Sequence, residues 1–162
     1  RVAVRVRPFS QEEEDAGAVR ALSMHGTAIT VQGEPQQKTF TYDQAYWSVS
    51  PDDPGYASQE IVNNDIGVAC HDSLARGNNA CVLAYGHTGT GKTHSLLGFP
   101  PEVRGGLVHA VSEAIFISKA KAKGEEHRVW MSVMEIYGEQ IRDLLQPGRD
   151  VRELQVVDHP EH

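Results

Sequence analysis

Residues 84–95 read AYGHTGTGKTHS, a glycine- and threonine-rich stretch around one lysine, set directly behind the apolar run 79–85. Gly86, Gly91, Lys92 and Thr93 satisfy the pattern G-x-x-x-x-G-K-[ST], with His87, Thr88, Gly89 and Thr90 as the residues between. That pattern is the phosphate-binding loop when it joins a strand to a helix. Glycines let the backbone wrap tightly enough to turn its N–H groups toward phosphate oxygens, and the helix that begins there presents its positive end to the same anion. Lys92 is the point charge that reaches the β- and γ-phosphates, and the Thr93 hydroxyl is the Mg²⁺ ligand. A glycine-rich turn could fit by accident, but in a chain this long a chance match is on the order of one per cent.

The surroundings predict the context the loop needs. Upstream, the valines of 2–6 alternate as in a strand, Gln11 to Asp15 is acidic, and 28–31 and 39–42 read as short antiparallel strands at a sheet edge. Ser50 to Gly55 is dense in turn formers. From Ser58, the residues Val62, Ile66, Ala69, Cys70, Ser73 and Leu74 fall on one helical face, with Gly77 as a C-cap. The run 79–85 predicts a strand covered by helices on both sides. Beyond the loop, a short helix from Lys92 stops near Gly98. A second carries Leu107, Val108, Val111, Ala114 and Ile115 on one face, with lysines at its C-terminal end. Residues 129–137 predict a strand, 140–148 a connection in which Arg142 and Asp143 pair locally, and 154–157 a last strand. This order of helices and strands is that of an α/β layered domain.

Composition narrows the class. The chain has 162 residues, 40% hydrophobic and 23% charged, with no low-complexity segment and no apolar stretch long enough to span a bilayer. The expectation is a cytoplasmic protein without direct membrane insertion. A net charge of −7, from 22 acidic against 15 basic residues, argues against nucleic acid as a partner. Cys70 and Cys81 have neither CxxC nor metal-ligand spacing and read as small hydrophobes. Pro160 breaks any helix that would align His159 with His162, so no metal site is expected there. The chain opens inside a strand and closes on DHPEH, which reads as one part of something longer.

A phosphate loop does not name a reaction, since hydrolysis also needs a second Mg²⁺ carboxylate and a water-positioning group. The segment 154–158, an apolar run ending in Asp158, resembles a Walker B strand, and Asp52 with Gly55 gives D-x-x-G. Both read equally well as ordinary turn chemistry.

Taken together, VAVRVRPFS (2–10), TFTYDQAYW (39–47), NACVLAYGHTGTGKTHSLLG (79–98) and MEIYGEQIRDLL (134–145) resemble the N-terminal part of a kinesin motor domain, in the family's order and approximate spacing. YWSVSPDDPGYASQEIV and LQVVDHPEH are similar to segments of the third kinesin class, the organelle transporters. The resemblance implies a P-loop α/β fold with a central, mostly parallel mixed sheet flanked by helices, incomplete here because 1–162 holds only a partial motor domain. It also implies a microtubule-stimulated ATPase using ATP and Mg²⁺, associated with the cytoskeleton. Arg5, Arg7 and Pro8 match the family's R-x-R-P segment beside the adenine, and His94 the residue that packs on the base. On spacing alone, these are equally solvated strand or surface residues.

Several positions depart from the family's pattern: His87 where Gln is usual, Asn78 for Tyr, LVHA (107–110) for IIPR, and Gly138 for Asn. None removes a phosphate ligand. Both switch motifs, N-x-x-S-S-R-S-H and D-x-A-G-S-E, and most of the basic microtubule-binding surface are absent from these residues. Tubulin contacts are therefore expected outside this segment, cargo or self-association through a tail, and hydrolysis by the 162 residues alone is expected to be negligible. The rival readings are a catalytically silent, truncated or degenerate kinesin-like protein that binds nucleotide or a partner, and another P-loop enzyme such as a nucleotide kinase.

Overall fold

The alternating valines at the start form β1 (Ala3–Val6), which pairs in parallel with β5 (Gln44–Trp47) so that Arg5 lies opposite Tyr46 and Val6 opposite Trp47. The computed structural model describes residues 1–33, 35–98, 105–121, 128–146, 154 and 156. The chain divides into two units, Arg1–Lys121 and Ala122–His162.

A parallel pair needs a crossover, and in the first unit it is made of α1 (Gln11–Asp15) and an antiparallel sheet of β2 (Leu22–His25), β3 (Ala28–Val31) and β4 (Lys38–Thr41) in the order β2-β3-β4. The acidic stretch is helical because Ser10 and Glu13 close a capping box, each side chain bonding the other's backbone N–H. Glu13 also receives both terminal nitrogens of Arg7 at 2.7 Å. Those bonds from Arg7, with the Ser10 N–H, hold the Glu13 carboxyl down at about 2.

Side chains of the β1–β5 pair alternate between two covered faces. On one, Val6, Trp47 and Ile29 are buried together with Val4, Ala45 and Met24, joining the pair to the antiparallel sheet. On the other, Tyr46 packs with Ala57, Val62 and Ile66, joining it to α2 (Gln59–Ala75). The turn-rich stretch between β5 and α2 is fastened by Asp53. Its carboxylate accepts the Trp47 indole N–H at 2.8 Å and pairs with Arg20, whose guanidinium lies 5.3 Å over the Trp47 ring.

α2 starts at the Ser58 cap, whose hydroxyl accepts the Ile61 N–H, and ends at Arg76, one residue before the expected glycine. Its covered face is Val62, Asn63, Ile66 and Gly67, whereas Leu74, expected on it, is 40% exposed. α4 (Leu107–Lys121) packs on α2 at Gly67, with Leu107 and Val111 close to it. α3 (Lys92–Leu97) ends at Gly98 as expected, and the Gly106 N–H bonds the Leu97 carbonyl at 3.0 Å where the chain returns to enter α4.

Two expectations change. Residues 79–85 lie in no helix or strand and join no ladder among the described residues, and Leu83 and Tyr85 are 85% and 95% exposed. An apolar pattern can specify an extended segment, but a strand also needs a neighbour. The described strands accordingly form three small sheets, of which only β1–β5 is parallel. In the second unit, β6 (Met134–Tyr137) and β7 (Gln140–Asp143) form an antiparallel hairpin, so QIRD is a strand and not a connection. Gly138, at φ 60°, permits its two-residue turn. Arg142 pairs across the hairpin with Glu135 at 3.8 Å and not with Asp143, which caps the Leu145 N–H instead. Neighbours across a ladder share a face, and adjacent residues do not. Of the last expected strand, Leu154 bridges Ile141; Asp158, His159 and His162 lie outside the described residues.

A methyl group on Gly67 would sit 3.8 Å from both Leu107 Cδ1 and Val111 Cγ2, an ordinary contact. Gly67→Ala is therefore expected to raise unfolding stability by about 0.5–1 kcal/mol through helix propensity, as read by urea denaturation. Because Glu13 is depressed from 4.5 to about 2, its contribution is complete above pH 4.5 and is lost as the pH falls toward 2. A carboxyl NMR titration is expected to place its midpoint near 2, and Arg7→Ala to return it toward 4.5.

Candidate nucleotide-binding site

The loop between residues 79–85 and α3 closes on its own lysine. The Lys92 ammonium donates to the carbonyls of Gly86 and His87, both at 2.8 Å, and no carboxylate pairs with it among the described residues. The His87 carbonyl also accepts the Thr90 hydroxyl at 2.7 Å and the Thr90 N–H at 3.3 Å. The loop is thereby curled over 86–90 with His87, Thr88, Gly89 and Thr90 exposed. Gly91 takes the left-handed conformation at φ 92° and caps α3 without a side chain, leaving the first helical N–H groups open. Gly86 is required for space: a Cβ there would lie 2.6 Å from the Thr90 hydroxyl.

This arrangement suits a polyphosphate. An ammonium held only by carbonyl oxygens can move to an anion without breaking an ion pair, and the exposed Thr93 hydroxyl has no hydrogen-bond partner among the described residues. Mg²⁺ fits the same donor set, because it is commonly held by one or two protein oxygens plus phosphates and water. No cluster of three or more His, Cys, Asp or Glu among the described residues could hold a metal.

The residues expected near the base divide. Arg5 is brought to α3, where its guanidinium donates to the Ser95 hydroxyl at 3.0 Å. His94 is half-buried, and burial first, then the Arg5 charge, pushes its pKa below the usual histidine value, keeping the imidazole neutral at pH 7. Arg7 turns away to Glu13 and to the Pro8 carbonyl, and Pro8 is exposed. Asp52 stays in the turn before α2. Gln59 and Ser48, which bond Arg5, lie within the family-like stretch 46–62, but nothing in that stretch assigned either of them to the site.

Beside the loop lies a cavity of about 520 Å³, bounded by β1, residues 80–85 and α2. Tyr46, 4% exposed, lines it with a hydroxyl that has no hydrogen-bond partner among the described residues. Burial first, and then the charge of Asp65, push its pKa up to about 12. Asp65 acts on the phenol electrostatically without coming within hydrogen-bonding geometry of it.

A curled glycine loop over a lysine, leading into a helix within an α/β chain, defines the P-loop class of domains. The chain belongs to the kinesin motor-domain family, whose profile matches residues 5–162. It is 44% identical to the mouse kinesin-like protein KIF28 over 90% of its length and 39% identical to human KIF1B over 99%. It is also 36% identical to human StAR-related lipid transfer protein 9 over 99%. It spans 16%, 9% and 4% of those proteins respectively. Among solved structures it is similar to two KIF14 segments in microtubule complexes, one with ADP and one a two-heads-bound dimer with AMP-PNP. The TM-scores are 0.77 and 0.83 at 32% and 33% identity, covering 98% of this chain and 46% and 45% of those chains.

The two loop glycines are expected to respond differently to alanine. Gly91→Ala meets no atom within 4 Å and carries only the left-handed conformational penalty, about 1–2 kcal/mol. Gly86→Ala must also displace the Thr90 hydroxyl. Amide exchange of residues 86–91 in the ligand-free protein is expected to quicken more for Gly86→Ala than for Gly91→Ala.

Proposed function

We propose that this chain is the nucleotide-binding part of a kinesin-type motor, in which residues 86–93 hold Mg·ATP and the whole protein couples its hydrolysis to movement along microtubules. The observation that carries the reading is Lys92, an ammonium parked on the Gly86 and His87 carbonyls in an exposed loop, without a counter-ion among the described residues. Lys92 would leave those carbonyls for the β- and γ-phosphates, Thr93 would offer its hydroxyl to the metal, and the N–H groups of 86–91 would surround the phosphate chain. Bound Mg²⁺ supplies neutralisation of the charge that develops on the transferred phosphoryl group. His94, neutral and half-buried beside Arg5, offers a flat face for the base. Family membership supports this reading, and the microtubule complexes of the KIF14 segments support tubulin as partner and the cytoskeleton as its place. Tubulin contacts are assigned to parts of the protein beyond these residues, as are cargo binding and self-association.

The test is ATPase activity of the full-length protein with and without microtubules, beside Lys92→Ala. Microtubules are expected to stimulate turnover, and Lys92→Ala to lower the stimulated rate by about 10²-fold or more. Nucleotide binding without any stimulated turnover would instead support the catalytically silent reading.

A further inference from the structure

Arg5 ties β1 to α2, to α3 and to the residue that follows β5 through three bonds. Its Nε donates to Ser48 Oγ at 2.9 Å, and its Nη1 to Gln59 Oε1 at 2.6 Å and to Ser95 Oγ at 3.0 Å. Gln59 makes a second, independent link to α3, since its Nε2 donates to the Ser95 carbonyl at 3.1 Å as well as to Asn63 Oδ1 at 2.8 Å. Asn63 in turn reaches the Gly105 carbonyl at 3.3 Å, and Ser48 the Ala57 carbonyl at 2.6 Å. Every acceptor on Arg5 is neutral, and no carboxylate among the described residues pairs with it. A half-buried guanidinium compensated only by neutral oxygens depends on their directions, because no opposite charge would hold it if they moved. Among the described residues outside α3, Gln59 alone hydrogen-bonds both this cation and the α3 backbone. Ser95 lies one turn beyond Lys92 on the same short helix, so whatever fixes Ser95 fixes the end of the phosphate loop.

We propose that Gln59 is a positioning residue of the nucleotide site, holding α3, and with it Lys92 and Thr93, against β1 through its joint grip on Arg5 and Ser95. The proposal rests on the reading of residues 86–93 as a nucleotide cradle. Gln59→Leu removes both halves of the grip at similar volume, whereas Gln59→Glu keeps the acceptor for Arg5 but loses the donor to the Ser95 carbonyl.

Two readouts on the full-length protein test it: amide exchange of α3 without ligand, and the Kd for fluorescently labelled ADP with Mg²⁺. Gln59→Leu is expected to speed α3 exchange and weaken ADP binding about tenfold, the size of a lost hydrogen bond to a charged group. Gln59→Glu is expected to move both readouts in the same direction, since its carboxylate cannot donate to the Ser95 carbonyl. Should Gln59→Leu fail to fold, Gln59→Glu, which loses the Ser95 half of the grip and keeps the Arg5 half, carries the test. Unchanged α3 exchange, or faster exchange with an unchanged Kd, overturns the proposal, the second outcome leaving Gln59 a purely structural role. Wild-type protein that binds no ADP, indistinguishable from Lys92→Ala, brings down the cradle reading itself and the proposal with it.

Discussion

The parallel register of β1 on β5, with Arg5 opposite Tyr46 and Val6 opposite Trp47, is the constraint on which the first unit depends. Both strands are only four residues long, yet both faces of the pair are covered. Val4, Val6, Ala45 and Trp47 point to the antiparallel sheet, and Tyr46 points to α2. Because side chains alternate, a slip of one residue would turn Arg5 into the apolar layer and bring Val6 to the polar acceptors of α2 and α3. The register therefore secures the hydrophobic contacts and the Arg5 bonds together.

From that pair the polar geometry of the site follows. Arg5 is carried on the α2 side of β1, where Ser48, Gln59 and Ser95 converge on it. Lys92 is held in a similar way by two loop carbonyls. The site thus contains two cations satisfied by neutral oxygens, a state that leaves their charge available to an anion. An acidic partner for either would have lowered its attraction for phosphate. The overall charge of −7 conceals this, because the acidic residues are placed elsewhere, as with Glu13 on Arg7 and Asp53 on Arg20.

Much of the apolar surface in these residues is not covered by the elements described. Leu83 and Tyr85 are exposed on a segment without a ladder, and in the second unit Trp130, Met134, Ile136 and Tyr137 are exposed around the hairpin. The buried Tyr46 hydroxyl faces a cavity without a partner among the described residues. The chain spans just under half of the KIF14 segments to which it is similar. A domain normally covers such surfaces and pairs such groups within its own layers.

The sequence by itself determined the phosphate loop, its place before a helix that ends at Gly98, the helix that starts at Ser58, the turn before it, and the family. These are local: a glycine loop, a cap, or a turn former acts through its own backbone, and family motifs are strings of residues. The strand at 79–85 and the connection at 140–148 were misread because a strand is defined by its partner, and one-dimensional patterns do not name partners. The pairing of Arg142 with Glu135, the grip of Gln59 on Arg5 and the turning of Arg7 toward Glu13 were decided by tertiary structure alone. Arg5 and Arg7 are two residues apart in one motif, and spacing treats them alike. Only the covering of β1 by α2 and α3 on one side separates the arginine that joins the site from the one that closes the first helix.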